Sequence, residues 1–252
     1  MKIIVDIRKS LSFQIKFRIM EEIIFEQNSQ LIFFIYLLSG IVGIGISAYF
    51  FKMYRLFSSS YIFGLMIGFI LIAFGDFFFS ATINLANQNE FFNFLQWEKL
   101  FIMSYGYAFL ALVYYFNKST EKKASLVIKS TLLSLIPIIS LLLFITSLEN
   151  VEMLSFQQHN EYFRIVNVIF ISYVVFKTFG NSAIRNKKEL ILLPLGFLVL
   201  LLSQLVRFLF TIDPIILTLE LSGILKIIAL AIILFTLTRD SIKTENIEVK
   251  YG

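Results

Sequence analysis

The chain of 252 residues is 58% hydrophobic and only 15% charged, with a mean hydropathy of +0.82. A soluble domain runs at about 45–50% apolar and about 25% charged, so this composition reads as an all-α integral membrane protein with no separate soluble domain. The absence of cysteine excludes disulfides, thiolate nucleophiles and cysteine-based metal centres, and a single histidine, His159, excludes a multi-histidine metal site within one chain.

The net charge of +5 suits basic cytoplasmic loops rather than nucleic-acid binding. Residues 1–30 mix charges with apolar positions and hold no uninterrupted apolar stretch of the kind a cleaved signal peptide needs. "LSFQIKFRI" alternates with a period of two, whereas Ile3, Ile4, Ile7 and Leu11 have helical spacing. An amphipathic or interfacial segment is expected there.

Apolar runs bounded by charges or turn residues then predict spans at 31–51, 60–84, 98–116, 125–147, 162–179, 189–211 and 215–238. These make a seven-helix transmembrane domain over 31–238, followed by a short cytoplasmic tail over 239–252. The connections are short, and Asp213-Pro214 predicts a tight turn.

Lys52 and Arg55, then Lys118, Lys122 and Lys123, then Arg185, Lys187 and Lys188 follow the odd-numbered spans. The loops between them carry Glu90, Glu149, Glu152 and Asp213. The basic side is cytoplasmic by the positive-inside rule, which places the N-terminus outside, the C-terminus in the cytoplasm and a multi-pass protein in the cell membrane. "YIFGLMIGFILIAFGDFFFS" also aligns with "ELILLPLGFLVLLLSQLVRF", setting Gly68 over Gly196 and Asp76 over Gln204, and then Glu98 over Glu220. This suggests a parallel 3+1+3 repeat around the fourth span.

A charged side chain at the bilayer centre costs at least ~2.5–3.5 kcal/mol, so each needs a partner, a polar cavity or a route to the interface. At ~1.5 Å per residue, Lys226 falls near mid-membrane, and Glu220 and Arg207 fall nearer the outer end. Three stripes at helical spacing rise toward the outside: Asp76, Ser80 and Asn84; Gln204, Arg207 and Thr211; Thr218, Ser222 and Lys226. Arg164 and Asn167 add to them from the fifth span, and Glu98 opens the third.

The expected ligand-binding set is therefore Asp76, Glu98, Arg164, Gln204, Arg207, Glu220 and Lys226, around a polar cavity facing outward. Asp76 or Glu220 would be the counter-ion of Lys226. A purely structural ion pair and interfacial snorkelling are the plain alternatives. Gly64, Gly68 and the cluster Gly40, Gly43 and Gly45 read as helix-packing sites.

The phrases "GFILIAFGDFFFSAT", "WEKLFIMSYGYAFLALVYYF", "GFLVLLLSQLVRFLF" and "LELSGILKIIALAIILFTLTR" resemble uncharacterised archaeal seven-helix integral membrane proteins. They are also similar, more distantly, to the seven-helix sensory regions of microbial signalling proteins. Those sensory helices often carry His-x-x-x-Lys; here Lys226 matches the lysine and Ser222 replaces the histidine. The resemblance implies a non-enzymatic sensor or receptor-like module, or an accessory subunit of a membrane complex. "RDSIKTENIEVKYG" is too short for an output domain, so signalling would pass through a membrane or cytoplasmic protein partner.

Two further readings stay open. A small-solute transporter would fit the 3+1+3 pattern, as in sugar transporters of the SWEET type. A retinal protein would use Lys226, but Ser222 stands where such proteins carry an aspartate, and residues 100–115 contain no acid. No cofactor is expected, and no catalytic or metal-binding constellation is recognised.

Overall fold

The computed structural model describes residues 2–84, 89–116, 156–185, 191–212 and 216–251, with side chains over 29–83, 98–116, 160–181, 191–210 and 217–239. Six helices occupy them: α1 Lys2–Phe57, α2 Ser60–Asn84, α3 Asn89–Phe116, α4 Phe156–Arg185, α5 Leu192–Ile212 and α6 Ile216–Tyr251. Each contains a stretch long and apolar enough to cross a membrane, and no strand occurs among the described residues. The span expected at 125–147 lies outside the described residues.

Local sequence explains several helix ends. Ser58 adopts a left-handed conformation, φ 48°, and its N–H bonds back to the Tyr54 carbonyl at 2.8 Å, which stops α1. The Ser59 carbonyl then accepts the first bond of α2, from Phe63 N–H at 3.1 Å. Pro194 sits in the first turn of α5, where a missing N–H removes no helix bond.

Both chain ends are helical. Residues 2–30 form the first part of α1, so the helical spacing of Ile3, Ile4, Ile7 and Leu11 prevails over the two-residue alternation. The segment expected as a short tail after Thr238 continues α6 to Tyr251. His159, three residues before the predicted span 162–179, belongs to the first turn of α4.

Packing follows a ring. The backbone neighbours are α1 with α2, α2 with α3, α3 with α4, α4 with α5, α5 with α6, and α6 with α1, and side chains such as Phe69 with Phe197 and Asp76 with Lys226 meet across the ring. Side-chain contacts give the directions. Tyr36 meets Phe79 and Ser47 bonds to the Met66 carbonyl, so α1 and α2 are antiparallel. Phe101 meets Phe163 and Tyr115 meets Tyr173, so α3 and α4 run the same way. Tyr36 reaches Ser222 and Gly45 faces Leu234, so α6 and α1 are parallel too.

Small residues set the closest approach. A Cβ placed on Gly106 would lie 2.7 Å from Ile72 Cγ1 and 3.0 Å from the Gly68 carbonyl oxygen, distances that leave room for hydrogen alone. Gly196 is similarly pressed against α6, with Ile233 at 2.7 Å and Ile232 at 3.3 Å from its hypothetical Cβ. The expectation that Gly43 is a packing site also matches, since Ala73 Cβ would come within 3.0 Å.

The interior is apolar toward the end carrying the α1–α2 turn. There Phe69, Phe197, Tyr107, Leu110, Leu230 and Ile233 form one fully buried cluster drawn from α2, α3, α5 and α6. A smaller cluster of Ile32, Ile35, Tyr36, Phe79, Ile83 and Leu219 joins α1, α2 and α6 toward the opposite end. The outer surface carries large apolar side chains such as Phe176, Leu217, Phe34 and Phe235, which face lipid. The molecule is thus a multi-pass helical membrane protein with a polar layer between two apolar ones.

Candidate functional site

Lys226 resolves first. Its Nζ donates to Asp76 Oδ1 at 2.5 Å, and Ser39 Oγ donates to the other carboxylate oxygen at 2.6 Å. Of the two acids expected as counter-ion, Asp76 is the partner. All three groups are buried, so neither charge has water as an alternative, and the pair substitutes for it.

Around this triad lie three more cations. Arg207 donates through Nη1 to the Tyr36 hydroxyl, and its guanidinium carbon stands 4.5 Å from the centre of the Phe79 ring. Lys99 Nζ sits 3.6 Å from the centre of the same ring. Arg164 donates through Nε to Asn160 Oδ1 at 3.1 Å. Their side chains, with Lys226, are between 2% and 6% exposed.

These four cations line one small chamber, together with Tyr36, Phe79, Met103, Ser203, Gln204 and Ser222. The free space among them amounts to about one water molecule. The side chains that line it are all buried.

The backbone places this set economically. Lys99 and Tyr107 share one face of α3, and Ser222 and Lys226 share one face of α6. Ser203 Oγ on α5 donates to the Ser222 carbonyl on α6 at 2.9 Å, which ties these two helices without using charge, and Ser222 Oγ donates to the Leu219 carbonyl within α6 at 2.9 Å. The Tyr36 hydroxyl joins Ser222 at 3.2 Å and links α1 to the same network.

Of the residues expected from sequence, the structure gathers Asp76, Arg164, Gln204, Arg207 and Lys226. Glu98 and Glu220 do not line the chamber; each has a buried carboxylate oxygen, Oε1, without a hydrogen-bond partner. Sequence reasoning missed Tyr36, Ser39, Phe79 and Lys99. Lys99 was legible in principle, because Lys99, Met103 and Tyr107 recur at helical spacing, but its place beside Glu98 at the start of a span looks like an interfacial charge.

The electrostatics are lopsided. Four cations meet one acid, Asp76, which pairs with Lys226. Lys99 and Arg207 are held by an aromatic ring and a phenol, contacts worth ~0.5–2 kcal/mol as cation–π interactions, well below what a buried charge requires. Hydrogen-bonding capacity also stands unused nearby: Asn167 Oδ1 and Nδ2, Gln204 Oε1 and the Tyr107 hydroxyl are buried without a partner.

Among the described residues no three acidic or histidine side chains converge as metal ligands would. Comparison of the chain with protein-family models, with curated proteins and with solved structures finds no match.

Proposed function

We propose that this chain is a seven-span, non-enzymatic receptor-like module of the cell membrane that recognises a small anionic group in the chamber formed by Lys99, Arg164, Arg207 and Lys226. The observation that carries this reading is the surplus of buried cations over the single paired acid. Lys226 is spoken for by Asp76, whereas Lys99, Arg164 and Arg207 contact only neutral groups. An anion among them would make charge-assisted bonds, each roughly twice as strong as those to neutral acceptors. Long side chains held weakly can turn toward such a group and widen the chamber.

The parallel course of α3 and α4 supports the seventh span. Two neighbouring helices that run the same way need a return crossing between them, and the apolar run at 125–147 has the length for it. With basic residues gathered at the other end, the chamber lies toward the outer face and the N-terminus is outside. Signalling then passes through a membrane or cytoplasmic protein partner.

The duplicated halves are supported by packing as well as by sequence. Gly68 faces Leu110, and Gly196 faces Ile232 at the aligned position, with Ile233 nearer still. The triplets α1–α3 and α4–α6 would then be parallel copies enclosing the chamber. That placement between halves favours one second reading, a small-anion transporter.

Binding is tested on the full chain purified in detergent, with chloride, acetate, phosphate and lactate as probes and thermal shift as readout. At least one anion is expected to raise the melting temperature in wild type and not in Arg207→Met or Lys99→Met, and sodium-matched controls remove ionic strength as the cause. No anion-specific shift in wild type would sink the reading. Uptake of a labelled binding anion into proteoliposomes separates transporter from receptor.

A further inference from the structure

The chamber's neighbours on α3, α4 and α5 have a pattern that the anion reading does not absorb. Under the repeat, Asp76 on α2 corresponds to Gln204 on α5. Phe101 meeting Phe163 is the counterpart of Gly223 meeting Ile35, which sets Ile35 over Phe163 and therefore Ser39 over Asn167. The paired triad Ser39, Asp76 and Lys226 thus has a counterpart in Asn167, Gln204 and Ser104.

In this counterpart every charge is replaced by a neutral polar group, and the polar atoms are left over. Ser104 Oγ, both amide atoms of Asn167 and Gln204 Oε1 are buried without a partner, and Asn167 itself is 0% exposed. One turn along α3 from Ser104, the Tyr107 hydroxyl is also unpartnered at 0% exposure. Tyr107 shares one face of α3 with Lys99 and Met103, which both line the cationic chamber. Gln204 lines that chamber directly, and Asn167 is one turn from Arg164.

We infer that Tyr107, Asn167 and Gln204 form a neutral hydrogen-bonding half-site for the same ligand, which carries an uncharged hydroxyl or amide beside its anionic group. This rests on the anion reading and narrows it to a class, small acids of the hydroxycarboxylate type. The amide of Asn167 offers both a donor and an acceptor, and the Tyr107 hydroxyl offers either, which suits a ligand hydroxyl that must donate and accept at once. An apolar ligand body would leave these atoms unsatisfied, and sites built to hydrogen-bond a hydroxyl discriminate strongly against analogues lacking it.

The test compares lactate with propionate, matched acids with and without the hydroxyl, by competition binding to the detergent-purified full chain. Wild type is expected to prefer lactate by about tenfold or more, the size one buried hydrogen bond provides. Asn167→Leu and Tyr107→Phe should each bring the ratio toward one while leaving propionate affinity within about twofold, and Arg207→Met should weaken both acids.

Equal affinity for the two acids in wild type overturns the half-site and leaves the anion reading standing. A ratio unchanged in both Asn167→Leu and Tyr107→Phe also overturns it, and assigns these atoms to structural water. Absence of binding by every anion tested overturns both. Tyr107→Phe removes one atom only, so it carries the test if Asn167→Leu does not insert.

Discussion

Two sides of one polar layer differ in how their groups are satisfied. On the α1–α2–α6 side, Ser39, Asp76 and Lys226 use both carboxylate oxygens and the ammonium on one another. On the α3–α4–α5 side, Arg164 and Lys99 rest against neutral partners, and Asn167 and Tyr107 keep unpartnered atoms at similar burial. A buried polar group costs free energy unless it is bonded, so the first side holds the bundle together, and under the proposed function a ligand completes the second. On that proposal, stability and recognition are separable by mutation.

The largest effect is expected on the satisfied side. Asp76→Ala leaves Lys226 buried without a counter-charge and should destabilise the detergent-solubilised protein by ~3–5 kcal/mol in an unfolding titration. The double replacement Asp76→Leu with Lys226→Met removes both charges and should recover most of that loss, because a buried pair is often no better than apolar residues of similar volume. A double variant as unstable as Asp76→Ala would show that the pair is not what Asp76 contributes.

How much of this was legible in sequence depends on the type of signal. The six described helices, their apolar stretches and the small-residue contacts at Gly43 and Gly68 follow from local patterns, because a membrane forces each span to satisfy its own backbone. The inward direction of Asp76, Gln204, Arg207 and Lys226 followed from helical spacing and from the cost of exposing charge to lipid. The choice of Asp76 over Glu220 did not, since it depends on which helices are neighbours around the ring. Lys99 and Tyr36 were missed for the same reason: a lysine near a span end and a tyrosine on a greasy face have ordinary interfacial explanations until Phe79 and Arg207 are placed beside them.

A smaller effect sharpens the comparison from within the triad. Ser39→Ala deletes a 2.6 Å bond to a carboxylate, and hydrogen bonds to charged groups are worth ~1.5–3 kcal/mol. The loss should shrink to a few tenths of a kcal/mol in the Asp76→Leu, Lys226→Met background, since contacting residues are not additive. Equal losses in both backgrounds would mean that Ser39 acts through packing alone.

The smallest effect is the most telling about the other side. Asn167 is just as buried as Ser39, and its side chain makes no hydrogen bond. Removing an unsatisfied polar group forfeits no bond and ends a desolvation penalty, so Asn167→Leu should leave stability within ~1 kcal/mol of wild type, or raise it. A destabilisation as large as that of Ser39→Ala would mean that Asn167 already has a structural partner, and the contrast between the two sides would collapse. A neutral or stabilising result would place Asn167 among residues whose retention needs a reason other than folding, as stabilising substitutions at binding sites commonly do.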